Sequence, residues 1–269
     1  MSRRITLSDV ELARAASPKR ARFVDHPVIY KPKPNSPEYV ASLKFPCVDR
    51  LFVAETGLVT KEGPYGPYLF LSRPEDIERA LEWQERRGKL IFLRDNLDFS
   101  IALDFNLAEA GRYTKLGQAE HDAKNNQDKD AVDALAAACS AAIKGIPVLD
   151  SHGLVCAVPP SAGKKWDLPT EIASRVASSL GRTDVTKHLN FASTKESIKG
   201  MPLKQKWGAL EKGKLQVGKA VNGRHVLLVD DKYQSGTTMQ FVASKLLEAG
   251  AVRVSGVCCV KTWRDTDNT

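Results

Sequence analysis

The chain has 269 residues, 42% hydrophobic and 27% charged, enough for one large or two ordinary globular domains and too apolar for a mainly disordered protein. A formal net charge of +8 favours anionic partners, from phosphorylated metabolites to nucleic acid, without choosing among them, because the 40 Lys and Arg are spread along the chain. No apolar run approaches the roughly 18–20 residues of a membrane helix, and the N-terminus MSRRITLSDVELARAA lacks an apolar signal core, so a soluble cytoplasmic protein without membrane association is expected.

Residues 1–45 carry the Pro-, Ser- and Lys-containing stretches SPKRAR and YKPKPNSP, which oppose long helices and strands, and an extended arm is expected there. Residues 46–98 read as a small mixed accessory domain. DRLFVAE and PYLFLS suggest two strands of a hairpin joined through LVTKEGPYGP. SRPEDIERALEWQERRGK suggests a helix capped by Ser72, with Pro74 near its first position, acids in its first turn and Gly88 as its stop. KLIFL closes the unit as a strand.

From residue 99 to 269 the pattern changes. The strands IALDFN, GLVCAVPP, VTKHLNF, RHVLLVDD and VRVSGVCCVKTW are interleaved with the helices DKDAVDALAAACSAAIKG, DLPTEIASRVASSLGR and TTMQFVASKLLEAGA. A Lys-rich loop precedes RHVLLVDD, with six Lys against two Glu between 193 and 214. Short continuous apolar strands alternating with amphipathic helices predict an α/β fold, a parallel sheet covered on both faces, with ligands at the carboxyl ends of its strands. Five cysteines, Cys47, Cys139, Cys156, Cys258 and Cys259, form no C-x-x-C pair and an odd total, so neither a zinc ribbon nor a disulfide framework is expected. Cys258 and Cys259 read as core thiols.

The chemistry concentrates in HVLLVDDKYQSGTTM, residues 225–239. A buried strand ends in Asp230 and Asp231; Gln234, Ser235, Gly236, Thr237 and Thr238 follow and open a helix. A strand feeding a helix start offers unpaired backbone N–H groups and the positive end of the helix dipole, and both suit a phosphate. Gly236 would let the backbone approach closely, and the hydroxyls of Ser235, Thr237 and Thr238 add donors. The two acids would repel a phosphate but can hold sugar hydroxyls, with a magnesium ion to offset their charge. The plainer alternative is a strand–turn–helix in which Asp231 and Ser235 merely cap the helix, although a cap needs one such side chain and not the whole string.

This string resembles the phosphoribosyl pyrophosphate motif of type I phosphoribosyltransferases: four apolar residues, two acids, three variable positions and Thr-Gly-x-Thr, here with Ser235 for the first Thr. It is neither a Walker A nor a dinucleotide motif. The segment TKESIKGMPLKQKWGALEKGKLQV, with ALDFN, GRYTKLGQAEHDAKNNQDKDAVDALAAA and LVCAVPPS, looks like ComF-type members of that family, and the likeness covers roughly residues 98–263. The four-cysteine zinc module often found ahead of ComF-like domains is absent from the sequence.

The resemblance implies a type I phosphoribosyltransferase-like sheet flanked by helices and binding of phosphoribosyl pyrophosphate. It implies Mg2+ on Asp230 and Asp231, and transfer of the phosphoribosyl group to a nitrogen acceptor with release of pyrophosphate. Pro159, Pro160 and Ser161, after Val158, resemble the loop that grips pyrophosphate. Lys164 and Lys165 would neutralise it, or are ordinary solvated lysines. Asp230, Asp231 and Lys195 are placed as catalytic, with Lys195 in the Lys-rich stretch that either closes over the ligand or is simply a solvated loop. Lys124 either approaches the phosphates or is a surface lysine. Trp263 either stacks on an acceptor base or closes the sheet edge. Gln234 stands where purine-salvage enzymes place an Asp, which disfavours hypoxanthine or guanine as acceptor.

Two other readings stay open. One is a sensor of phosphoribosyl pyrophosphate or a nucleotide that does not turn it over, acting in stress, competence or defence, with residues 1–98 engaging a partner or a second copy. The other is action with nucleic acid, which the charge allows but no helix-turn-helix, aromatic–basic pattern or basic stripe supports.

Overall fold

The structure is a computed structural model that describes residues 4–16, 28–43, 48–64, 66–108, 111–160, 163–193 and 200–263. In chain order the N-terminal part contains α1 (Leu7–Ala16), β1 (Ile29–Tyr30), β2 (Tyr39–Ser42), α2 (Val48–Thr56), β3 (Tyr68–Leu71), α3 (Pro74–Arg87) and β4 (Ile91–Phe92). The remainder contains β5 (Ser100–Phe105), α4 (Lys115–Asn126), α5 (Lys129–Lys144), α6 (Pro147–Asp150), β6 (Leu154–Ala157), α7 (Leu168–Leu180) and β7 (Thr183–Asp184). It ends with β8 (Leu189–Phe191), α8 (Leu203–Lys212), β9 (Leu215–Val217), β10 (His225–Tyr233), α9 (Thr237–Glu248) and β11 (Arg253–Lys261).

The main sheet has six strands in the order β4-β5-β11-β10-β6-β7. Strands β5, β11, β10, β6 and β7 run parallel, and β4 lies antiparallel on the edge. The α/β class with a mostly parallel sheet flanked by helices is therefore the fold, accompanied by a smaller antiparallel sheet, β1-β2-β3. Strand alternation divides the interior in two. Val155, Ala157, Leu227 and Val229 point to the layer of α5 and α7, which also receives Phe52, Trp83 and other residues of α2 and α3. Leu154, Cys156, Val226 and Leu228 point to the layer that holds Phe241 and Leu246 of α9, Trp207 of α8 and Val10 of α1. All four of Val226 to Val229 have no exposed area, as befits a central strand covered on both faces.

Several expected elements take another form. Residues 4–16 are not an irregular arm: α1 starts with a capping box in which the Thr6 amide donates to Asp9 Oδ2 (2.9 Å) and the Asp9 amide donates to Thr6 Oγ1 (3.2 Å). Ser244 Oγ donates to the Ile5 carbonyl (2.6 Å), which ties this end to α9. The expected strand DRLFVAE is helix α2, because Val48, Leu51 and Phe52 fall one helical turn apart and share the buried face. Phe52 meets Trp83 edge-on at 5.0 Å. The expected hairpin therefore does not form, and β3 pairs with β2 instead. Helix α3 is entered through Arg73 without a side-chain cap, while the Ser72 hydroxyl lies 3.4 Å from Glu38 Oε1; Pro74 and Gly88 stand where expected.

The expected strand VTKHLNF is interrupted by a short 3-10 turn at Thr186–His188, whose Thr186 Oγ1 accepts from the buried Ala157 amide (3.0 Å). Its last part, β8, forms a separate two-stranded ribbon with β9. The Lys-rich stretch is in part helix α8, with Lys206 buried and Trp207 against Phe241 at 5.2 Å. Helix α4, absent from the sequence reading, is capped by Thr114, whose hydroxyl accepts from the Gly117 amide (3.0 Å). A Cβ at Gly117 would strike the backbone of Asn106, so glycine is what lets α4 lie against the carboxyl end of β5. Cys258 and Cys259 are core thiols, and Cys259 Sγ lies 3.6 Å from Cys139 Sγ. Among the described residues no helix is long and apolar enough to cross a membrane.

Candidate functional site

Strand β10 lies between β6 and β11 in the middle of the sheet; it carries Asp230 and Asp231 near its carboxyl end and, beyond the expected stop at these acids, runs on to Tyr233, still paired with β11. The Asp231 amide donates to Asp230 Oδ1 (3.0 Å), which fixes the two carboxylates relative to each other. Asp231 is 6% exposed and Asp230 partly buried. Burial first, and the neighbouring Asp231 charge second, hold the Asp230 carboxyl well above the usual carboxylate range, with Lys124 opposing them.

Lys124, from the last turn of α4, donates to Asp231 Oδ2. Burial works against the Lys124 charge, but Asp231, with Glu120 and Asp230 nearby, outweighs it and raises its pKa above the ordinary lysine value. Lys124 is thus no free surface lysine. Behind it, the buried Glu120 carries an ion pair with Lys232 of β10 (2.6 Å).

A cavity of about 550 Å³ opens at these carboxylates. Asp230, Asp231 and Thr238 line it from β10 and α9, Pro159, Pro160, Lys164 and Lys165 from the segment after β6, Lys124 from α4 and Gln127 from the residue that ends α4. Trp166 and the first residues of α7 complete it. Lys164 Nζ lies 3.1 Å from Asp167 Oδ1, and Asp167 caps α7 by accepting from the Thr170 amide. Eight of the residues singled out in the sequence therefore meet at one cavity: Asp230, Asp231, Thr238, Pro159, Pro160, Lys164, Lys165 and Lys124.

The rest of the motif sits differently. Gln234 is exposed, Ser235 is half-buried with its hydroxyl 3.0 Å from Thr237 Oγ1, and Thr237 is buried. Gly236 is the N-cap of α9, so the helix starts without a side-chain cap, unlike the arrangement in which Asp231 or Ser235 closes it. Gly236 has φ +67°, and a Cβ there would collide with the Tyr233 ring. The glycine is therefore required by the turn and by Tyr233, which goes beyond the expected close approach to a ligand. The Tyr233 hydroxyl donates to the buried Asp95 (3.2 Å), which also accepts from Ser100 Oγ (2.8 Å) and the Leu97 amide (3.1 Å). Burial pushes Asp95 up to about 6, against the pull of these donors.

Trp263 packs edge-on against Phe105 at 5.0 Å, and its amide donates to Asn106 Oδ1 (2.7 Å), a placement that closes the sheet end. Ser161 and Lys195 lie outside the described residues. Sequence reading missed Glu120, Lys232, Asp95, Tyr233 and Trp166. Only Glu120 carried a signal, its four-residue spacing from Lys124, and that spacing acquires meaning once α4 is known to be a helix.

The donor set was weighed against a magnesium ion. Among the described residues no group of three or more His, Cys, Asp or Glu could hold a metal. The adjacent Asp230 and Asp231 suit a cation that takes one or two carboxylates and fills its shell with water and ligand oxygens, which is how magnesium usually binds beside phosphates.

No protein-family model and no curated protein matches this chain. Thirteen chains of solved structure match. Among them is the allosteric regulatory enzyme of purine biosynthesis, 16% identical, with a TM-score of 0.37, over 82% of this chain and 45% of that one. The chain thus spans less than half of that enzyme's length, and a likeness at this level bears on neither substrate nor reaction.

Proposed function

We propose that the chain binds phosphoribosyl pyrophosphate at the carboxyl end of β10 and transfers its phosphoribosyl group to a nitrogen acceptor, releasing pyrophosphate. The observation that supports this most is that Asp230, Asp231 and Thr238 line one cavity together with Pro159, Pro160, Lys164 and Lys165. The carboxylates suit a ribose diol, the uncapped start of α9, which reaches the cavity through Thr238, suits the 5-phosphate, and the lysines suit the diphosphate. Asp230 and Asp231 would also hold the ligand's magnesium ion, which when bound neutralises charge developing on the pyrophosphate.

In the proposed reaction the bond between C1 and the pyrophosphate oxygen breaks, its electron pair leaves with pyrophosphate, and the acceptor nitrogen bonds C1 and sheds its proton. The aspartates orient the ribose and favour the positive charge that builds at C1, while Lys164 and Lys165 meet the negative charge on the leaving group. Lys195 is proposed to join them from the segment before α8. This role for Lys195 rests on the sequence resemblance alone, since Lys195 lies outside the described residues.

A second reading, binding without turnover, is favoured by one feature: the motif carries an exposed Gln234, which cannot accept a proton usefully near neutral pH. Incubating the protein with phosphoribosyl pyrophosphate, magnesium and a panel of nitrogen bases, and measuring pyrophosphate, separates the two. Acceptor-dependent release supports transfer; saturable binding without release supports the sensor; no binding contradicts both.

A further inference from the structure

Glu120 lies on α4 one turn before Lys124, with its side chain 1% exposed. Its two oxygens are used unequally. Oε2 forms a 2.6 Å ion pair with Lys232 of β10. Oε1 lies 3.6 Å from Lys124 Nζ, inside ion-pair range but too far for a hydrogen bond, and has no hydrogen-bond partner among the described residues. Lys124 is instead drawn onto Asp231 Oδ2. A buried carboxylate oxygen without a donor is uncommon in folded proteins, and the Lys124 ammonium is within a small displacement of it.

We infer that Glu120 is a positioning residue that gives Lys124 a second place to rest. One position is on Asp231, as here; the other is on Glu120 Oε1, taken when a ligand's hydroxyls claim Asp231. This rests on the sugar-phosphate reading above, since a ligand has to compete for Asp231. The geometry supplies the rest. Glu120 precedes Lys124 by four residues on one helix, the favourable order for such a pair. Lys232 anchors the carboxylate from β10, the strand that also carries Asp230 and Asp231. The ammonium released from Asp231 therefore stays beside the cavity, where it meets the anionic part of the ligand. Without Glu120 it either keeps blocking Asp231 or is lost to solvent, and both weaken binding.

A merely structural Glu120 would serve only to neutralise the partly buried Lys232. Replacing both ends of that pair, Glu120→Leu with Lys232→Leu, removes the ion pair without stranding a charge, a change that proteins often tolerate. The probe is phosphoribosyl pyrophosphate with magnesium, measured by calorimetry against the full-length wild type. The expected result is affinity at least about tenfold weaker, the scale of one charge-assisted contact. The second readout is the lysine side-chain ammonium NMR signal of Lys124, assigned with Lys124→Arg. It should shift on ligand addition in the wild type and stay observable, whereas in the double variant it should either stay where it is or vanish through exchange with solvent.

Wild-type affinity in the double variant, or a Lys124 signal that ignores ligand in the wild type, overturns the inference and leaves the site reading intact. A wild type that binds no phosphoribosyl pyrophosphate overturns the site reading, and the inference with it. If the double variant does not fold, Glu120→Gln, which keeps an acceptor for Lys232, carries the same test with the same outcomes.

Discussion

Replacing Gly236 by alanine probes how the turn between β10 and α9 is built. The residue has φ +67° and ψ −2°, a left-handed conformation, where a Cβ costs about 1–2 kcal/mol. The new methyl would also run into the Tyr233 ring. That ring is 8% exposed and held by its hydrogen bond to Asp95, so it has little freedom to swing away. Forcing a methyl into a packed interior costs about 1–3 kcal/mol. The two effects together predict a loss of about 2–5 kcal/mol, or about 4–9 °C in Tm for a chain of this size.

Urea unfolding followed by far-UV circular dichroism measures it. A double-mutant cycle with Tyr233→Ala isolates the collision: the pair should be less destabilised than the sum of the single changes by about 1–3 kcal/mol. A loss below about 0.5 kcal/mol, or strict additivity, would refute the reasoning. It would return Gly236 to the simpler role of letting a ligand approach, in which stability is untouched and only binding suffers.

Two further predictions concern stability. Burial first, and His225 beside it second, lower His152 to about 4 from 6.5, so the unfolded chain binds more protons between these values. Stability tied to the neutral imidazole is full above pH 6.5 and lost as pH falls toward 4, by at most about 3 kcal/mol. Burial raises Asp95 to about 6 from 3.8, which gives the opposite slope: its contribution is present below pH 3.8 and lost as pH rises through 6. Urea titrations from pH 4.5 to 7.5 should show His152→Leu removing the acid-side loss and Asp95→Asn removing the opposing one; pH profiles parallel to wild type would contradict both. Arg87 of α3 bonds Glu55 of α2 (Nε to Oε2, 2.9 Å) and the Gly145 carbonyl after α5 (2.5 Å). Arg87→Ala leaves the buried Glu55 carboxylate with its longer contact to Arg86 (3.9 Å) and should cost up to about 3 kcal/mol, most of it recovered when Glu55→Leu is added; equal losses in the single and double variants would count against the pair.

The parallel core was legible because its elements repeat one period each. Val226 to Val229 form a continuous apolar run of strand length, and α7 and α9 carry apolar residues at helical spacing, α7 between the Asp167 cap and Gly181. Helix α2 was misread because Leu51, Phe52 and Val53 are adjacent residues of strand-like type; only burial on one side shows the helical period. Helix α4 was missed because few of its residues are apolar, and it is held at the end of β5 by the Thr114 hydroxyl, which donates to the Phe105 carbonyl (2.6 Å), and by the close approach of Gly117 to Asn106. The motif at Asp230 and Asp231 was readable because its residues are contiguous. Lys124 reaches Asp231 across 107 positions, and Asp95 reaches Tyr233 across 138; such meetings depend on the tertiary fold and leave no local trace.

The most direct measurement is the affinity for phosphoribosyl pyrophosphate with magnesium of the wild type and of a chain carrying Asp230→Asn with Asp231→Asn. The double variant should keep the wild-type circular dichroism spectrum and lose ligand binding. Unchanged affinity in a folded double variant would contradict the placement of the ribose on those carboxylates.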